Sequence, residues 1–128
     1  MKRRRVLRHI FRFRNLRESF SLAARGIAYL FLYHHNMRLI FLLGILAFLL
    51  GLYFRLRGIE LAALCITITL VFMAEIFNTA IEMMMDLFTA RYHTLVKLVK
   101  DIAAGVVLLA SLNAAAVGYI LFARRLMK

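Results

Sequence analysis

The sequence has 128 residues, a formal net charge of +12 and a mean hydropathy of +0.81, and 64% of its residues are hydrophobic. This length supports one domain, and the hydrophobicity together with the absence of proline excludes a disordered chain and favours a helical membrane protein. Ten of the 18 Lys and Arg residues lie within residues 1–38, beside a hydrophobic stretch, which indicates membrane orientation and anionic lipid rather than nucleic acid.

Residues 1–33 are predicted to form an amphipathic helix on the membrane surface. From Arg4 to Leu32, apolar side chains recur on one helical face while most arginines lie on the others. Arg17 interrupts the apolar face, so we expect a break in the helix near Asn15.

Three hydrophobic segments follow and are predicted to cross the membrane, which gives an all-α fold in a single domain over residues 1–128. The first covers residues 37–54, the second 59–88 and the third 102–123. The second would be about 45 Å long at 1.5 Å per residue, longer than a hydrocarbon core of about 30 Å. Its final third is therefore expected to leave the bilayer.

The connections between the spans carry charges that set the orientation. Residues 55–58 join the first two spans, and Glu60 just beyond them is expected to pair with Arg57. Residues 89–100 are predicted to be a polar loop containing three basic residues. Counting the basic residues on each side places the N-terminus in the cytoplasm, so the chain is predicted to be a multi-pass protein of the inner (cytoplasmic) membrane.

Small residues form two rows on the third span. One row contains Ala104, Ser111, Ala115 and Gly118, and the neighbouring row contains Ala103, Ala110 and Ala114. Small side chains permit close contact between helices, which favours self-association of the chain. Packing of the same rows within one protomer is the alternative.

The second span carries a polar face inside an otherwise hydrophobic helix. At 100° per residue, five polar side chains fall within an arc of about 100°. They are Glu75, Asn78, Thr79, Glu82 and Asp86. Ionisable groups aligned in a membrane helix are costly and usually functional, so this polar face is a candidate site. A polar seam between copies of the chain is the alternative.

The spacing of the carboxylates indicates separate roles. Glu75 and Glu82 lie about 10 Å apart along the helix, too far to bind one metal ion together. Glu75 is deeper and is suited to be a general base towards a lipid hydroxyl, whereas Glu82 lies nearer water and suits Mg²⁺ with a phosphate ligand. Lys97 and Lys100 add charge that can pair with phosphate, and Asp101 adds another acceptor. These residues predict phosphoryl transfer at a membrane surface, and a small channel or transporter subunit with an acidic ion path is an alternative.

The polar face belongs to a longer motif in the sequence. It reads Glu75-x-x-Asn78-Thr79-Ala80-Ile81-Glu82-x-x-x-Asp86, followed by Tyr92-His93 and Lys100-Asp101. This motif resembles the small bacterial integral-membrane lipid kinases, which include diacylglycerol kinase and undecaprenol kinase. The resemblance covers roughly residues 19–122. It implies three transmembrane helices, an N-terminal amphipathic helix, a homotrimer with composite active sites, and MgATP as phosphate donor to a membrane lipid alcohol.

The resemblance also implies a role for each candidate residue. Glu75 would be the catalytic base and, together with Arg25, would meet the lipid substrate, while Glu82 would bind the metal. The nucleotide-binding residues would be Asn78, Glu82, Asp86, Lys100 and Asp101. Asn78-Thr79 and residues 100–105 are more similar to the undecaprenol-type members, so undecaprenol is favoured over diacylglycerol as the substrate.

One position departs from the family pattern. Four residues ahead of an Arg, the family usually carries a Glu that shares the metal with the later one, and here His34 stands four residues ahead of Arg38. Imidazole is a poor Mg²⁺ ligand, so we expect weaker metal binding or a preference for Mn²⁺ or Zn²⁺. A catalytically impaired relative that acts as a scaffold is therefore a further alternative.

Overall fold

A computed structural model describes residues 16–88 and 93–127, and every regular element within these ranges is an α-helix. Helix α1 spans Leu16–Tyr33, α2 spans His35–Tyr53, α3 spans Ile59–Asp86 and α4 spans His93–Leu126. The predicted all-α fold is thus confirmed. The chain divides into an N-terminal unit, Met1–His34, and a second unit, His35–Lys128.

Helix α1 is the described part of the N-terminal unit. It spans Leu16–Tyr33, and every residue in it is exposed or half-buried. The predicted break near Asn15 lies outside the described residues. At the end of α1 the His34 amide donates to the Leu30 carbonyl at 2.9 Å, and the Tyr29 and Tyr33 rings lie with their centroids 4.7 Å apart. Residues 1–15 of the predicted amphipathic helix lie outside the described residues, and its place on a membrane surface stays a prediction.

Within the described residues, three helices are long and apolar enough to cross a membrane, namely α2, α3 and α4. Helix α3 has 28 residues and is about 42 Å long, and it packs against both α2 and α4. Most large apolar side chains of the three helices are exposed. This is the arrangement expected where lipid, rather than water, surrounds the protein.

Helix α4 extends beyond the predicted third span at both ends. The predicted span, residues 102–123, lies inside a helix of 34 residues. Residues 93–100 were expected to belong to a polar loop and are helical instead. They contain neither glycine nor proline, and their apolar side chains recur at helical spacing, so nothing in this stretch ends a helix. The rest of the predicted loop, residues 89–92, is outside the described part of the chain.

A tight reversal ends α2 and leads to α3. The Leu56 amide donates to the Gly51 carbonyl at 2.9 Å and the Arg55 amide donates to the Leu52 carbonyl at 3.0 Å, which is the pattern of a Schellman motif. Arg55 occupies the left-handed position of this motif, with φ of 57°, where glycine is more usual. The reversal folds Leu56 back against the helices, and that side chain is only 2% exposed.

Arg125, near the end of α4, forms hydrogen bonds with residues of this reversal and of α3. Its guanidinium donates to Glu60 Oε2 at 2.6 Å and to the Phe54 carbonyl at 3.0 Å. The expected pairing of Glu60 with Arg57 is therefore wrong. A planar guanidinium on a neighbouring helix satisfies both the carboxylate and a carbonyl left free at the end of α2.

Gly51 allows α2 and α3 to approach each other closely. A Cβ added at this buried glycine would lie 2.6 Å from Leu64 Cδ2 and 3.4 Å from Leu56 Cδ1. Leu64 is itself buried in α3, so it has little room to move away. The contact between α2 and α3 at this end therefore depends on Gly51 having no side chain.

We expect Gly51→Ala to destabilise the protein by about 1–3 kcal/mol, because overpacking forces buried side chains out of their preferred rotamers. Thermal denaturation in detergent measures the change. Gly26→Ala is the matched control, since nothing lies within 4 Å of a Cβ at that helical position and alanine favours helix. A denaturation midpoint for Gly51→Ala equal to that of the wild type would contradict the close approach.

Candidate functional site

The polar face of α3 is graded in exposure along the helix. Glu75 and Thr79 are each 3% exposed, and Asn78 is half-buried. Glu82 and Asp86, one and two turns further on, are exposed. The carboxylate suited to accept a proton is therefore buried, while the carboxylates suited to bind a metal ion lie at the accessible end of the helix.

The buried Glu75 carboxylate has a partner on another helix. Asn36, in the first turn of α2, donates from Nδ2 to Glu75 Oε1 at 2.8 Å. Met37 and Ala74, the neighbours of these two residues, are also buried. Asn36 was not among the predicted site residues, although an amide in the first turn of an apolar span is a signal that could have pointed to it.

Asn78 and Glu82 interact within α3, one helical turn apart. Asn78 Nδ2 donates to Glu82 Oε1 at 3.1 Å. This orientation turns Asn78 Oδ1 away from Glu82, and that oxygen is buried without a hydrogen-bond partner among the described residues. A buried acceptor without a donor is costly, so Asn78 Oδ1 is suited to bind a cation or a donor group of a ligand.

Asp86 and Lys100 join the end of α3 to the beginning of α4. Lys100 Nζ lies 2.5 Å from Asp86 Oδ1, and the two side chains are 36% and 63% exposed. The pair forms because α4 already begins at His93 and therefore carries Lys100 on its second turn. An ion pair this exposed contributes little to stability and can be exchanged for a ligand. Asp101 is exposed beside it.

Two predicted site residues belong to the N-terminal unit. Arg25 lies on α1, where it lines a shallow surface concavity with Arg17, Glu18 and Ser21. His34 follows α1 and is half-buried, with its ring centroid 6.2 Å from that of Tyr29. Within the described residues, no group of three or more His, Cys, Asp and Glu side chains could hold a metal ion.

The two rows of small residues on α4 differ in their surroundings. Ala103, Ala110 and Ala114 are half-buried. In the other row, Ala104, Ser111 and Ala115 are exposed and Gly118 is half-buried. No described residue of α4 is fully buried. Asn113, in the middle of the predicted span, is also exposed, and its side chain has no hydrogen-bond partner in the described part of the chain. A surface of α4 therefore remains open to lipid or to another protein chain.

Comparison with known proteins agrees with this architecture. The family model for prokaryotic diacylglycerol kinase matches residues 21–122. A protein named diacylglycerol kinase from Synechocystis sp. is 39% identical over 105 residues, which are 81% of this chain and 60% of that protein. A protein named undecaprenol kinase from Bacillus subtilis is 40% identical over 55 residues, which are 43% of this chain and 45% of that protein.

Three helices that are long and apolar enough to cross a membrane, one of them with a polar face, define a small helical membrane protein. Because the family model covers most of the sequence, the chain belongs to the prokaryotic diacylglycerol kinase family. The chain matches 60% and 45% of the length of the two relatives.

Proposed function

We propose that this protein transfers the γ-phosphate of ATP to the hydroxyl of a membrane lipid alcohol. The observation that carries the proposal is the buried Glu75 carboxylate on a helix long enough to cross a membrane, followed by progressively exposed polar groups. A lipid hydroxyl meets the first group from within the bilayer, and a nucleotide meets the others from water. The family membership supports this, because both named relatives are lipid kinases.

In the proposed reaction the lipid oxygen attacks the γ-phosphorus of ATP. A bond forms between that oxygen and phosphorus, and the bond from phosphorus to the bridging oxygen of ADP breaks. The hydroxyl proton passes to the carboxylate of Glu75, acting as general base. Lys100 leaves Asp86 to pair with the phosphates, and Asp101 and Asn78 supply polar contacts to the nucleotide.

Mg²⁺ would supply charge neutralisation on the transferred phosphate. The exposed Glu82 carboxylate fits such an ion, and Asn78 Nδ2 donates to one of its oxygens. Mg²⁺ commonly keeps several waters and binds one or two protein carboxylates together with substrate phosphates, so few protein ligands are needed. Since His34 stands where the family usually carries a Glu, Mn²⁺ or Zn²⁺ is an alternative metal.

We further propose undecaprenol, rather than diacylglycerol, as the substrate. The support is the similarity of Asn78-Thr79 and of residues 100–105 to undecaprenol-type sequences. The names of the two relatives divide between the two lipids. The names of the relatives therefore do not decide between the two lipids, and a direct comparison of the two substrates is needed.

A homotrimer in the inner membrane, with its N-terminus in the cytoplasm, completes the proposal. The basic residues in the first 38 positions support that orientation. The exposed small residues of α4 support contact between copies, and Asn113 adds an amide that lipid cannot satisfy. Alanines of the half-buried row would serve packing within the protomer.

Phosphate transfer to lipid in detergent micelles tests the function directly. Radiolabelled ATP is offered with undecaprenol and with diacylglycerol in parallel, with Mg²⁺, Mn²⁺ or Zn²⁺. We expect a labelled lipid in both reactions and a higher kcat/KM with undecaprenol. No labelled lipid under any metal would reject the kinase function, and a higher kcat/KM with diacylglycerol would reject only the choice of lipid.

Glu75→Gln should lower kcat by at least about 100-fold, because the amide retains the shape of the side chain but cannot accept the proton. Binding of a fluorescent ATP analogue should persist, since the nucleotide meets other residues. The control Met83→Leu changes an exposed side chain of the same helix outside the polar face. Wild-type turnover in Glu75→Gln would reject its role as base.

His34→Glu should lower the Mg²⁺ concentration needed for half-maximal activity by about tenfold or more. The replacement provides a carboxylate oxygen, and even outer partners of metal sites change affinity or activity by about 10–100-fold. Titration of activity with Mg²⁺ and with Mn²⁺ measures the change, with His35→Glu as the neighbouring control. An unchanged Mg²⁺ dependence would show that position 34 does not contribute to metal binding.

Asn113→Leu should weaken association of the chain by about tenfold, because an interhelical hydrogen bond in a membrane contributes about 1–2 kcal/mol in peptide systems. Sedimentation equilibrium in detergent measures the distribution of oligomers. Leu112→Ile, a volume-conserving change at the exposed neighbouring residue, is the control. Equal association constants for Asn113→Leu and the wild type would remove Asn113 from the interface.

A further inference from the structure

Asn36 stands out because it is the one residue of α2 that makes a side-chain hydrogen bond to the polar face of α3 within the described part of the chain. The two residues are 39 positions apart in the sequence, so the contact depends on how the helices pack. The donor is Asn36 Nδ2 and the acceptor is Glu75 Oε1, at 2.8 Å. That distance is typical of a well-formed bond to a carboxylate.

The bond joins the exposed amide of Asn36 to the buried carboxylate of Glu75, and the residue beside each of them is buried. Met37, next to Asn36, is 0% exposed and fixes the first turn of α2. Glu75 is 3% exposed and follows the buried Ala74 on α3. A carboxylate this buried has few positions open to it, and a donor on an anchored helix selects one of them.

We propose that Asn36 is a positioning residue for Glu75: by binding Oε1, it fixes the plane of the carboxylate and leaves Oε2 to accept the proton of the substrate hydroxyl. Oε2 has no hydrogen-bond partner among the described residues, which agrees with this division between the two oxygens. The inference rests on the proposed kinase function. It adds a residue of α2 to the proposed site.

Two substitutions distinguish positioning from simple packing. Asn36→Ala removes the amide and leaves space, whereas Asn36→Asp retains the size but replaces the donor by a second carboxyl group facing Glu75. A packing role predicts that Asp is tolerated better than Ala. A positioning role predicts the reverse order, because Asp both loses the donor and competes with the carboxylate for protons and cations.

Steady-state kinetics of the full chain in micelles, with a lipid alcohol and MgATP, provide the first test. We expect kcat to fall about 100-fold in Asn36→Ala and at least as far in Asn36→Asp, as misplacement of a reacting group costs about that factor. KM for MgATP should stay within about twofold, because nucleotide contacts are elsewhere. His35→Ala, a change at the exposed neighbouring residue, is the control and should retain wild-type kcat.

Thermal denaturation provides a second test that does not require turnover. In a double-mutant cycle of Asn36→Ala and Glu75→Ala, residues joined by a hydrogen bond should give non-additive changes in the denaturation midpoint. Additive changes would overturn the contact itself. If the wild type phosphorylates lipid and Asn36→Asp has the same kcat as the wild type, the positioning role alone would be overturned. If the wild type phosphorylates no lipid, the proposed function fails and the positioning role fails with it, while the cycle still reports on the contact.

Discussion

A carboxyl group inside a hydrocarbon layer has no water to bind, so the protein itself must supply its partner. Glu75 is buried in a helix that is long and apolar enough to cross a membrane, and the amide of Asn36 supplies a partner. The bond forms only when the first turn of α2 lies beside the middle of α3, so it specifies how these two helices align. Met37 and Ala74, buried next to the two polar residues, pack in the same alignment. The polar contact and the packing thus depend on each other.

The polar groups of α3 differ in how easily a ligand could replace their partners. The bond from the exposed Asn36 amide ends on the buried Glu75 carboxylate, and breaking it would leave a costly unsatisfied carboxylate. The pair of Asp86 with Lys100 is exposed, where such pairs contribute about 0–1 kcal/mol. In the proposed reaction, the site therefore retains its deep contact while its shallow charges exchange partners. Rigid geometry lies at the lipid end and adaptable geometry at the nucleotide end.

Local periodicity explains what the sequence could predict. The polar face of α3 follows from the 3.6-residue repeat, and the three spans follow from hydrophobic length. The contacts of Asn36 with Glu75 and of Arg125 with Glu60 link distant parts of the chain, and no local pattern provides the alignment that brings them together. The charges of Lys97 and Lys100 suggest a loop, but lysine is a good helix former, and α4 already includes both residues. For Arg25 and His34, resemblance to the family remains the basis of the assignment.

The position of Glu75 along α3 has a consequence for the surrounding membrane. About 24 Å of helix separates Ile59 from Glu75, compared with a hydrocarbon core of about 30 Å. With Ile59 at one boundary, the carboxylate lies about 6 Å inside the opposite boundary, at a depth that a lipid hydroxyl reaches by a small inward displacement. A thicker bilayer would draw Glu82 towards hydrocarbon, and a thinner one would bring Glu75 towards water, unless the helix tilts or the lipid deforms. Bilayer thickness thereby becomes a physical variable that tunes access to the site.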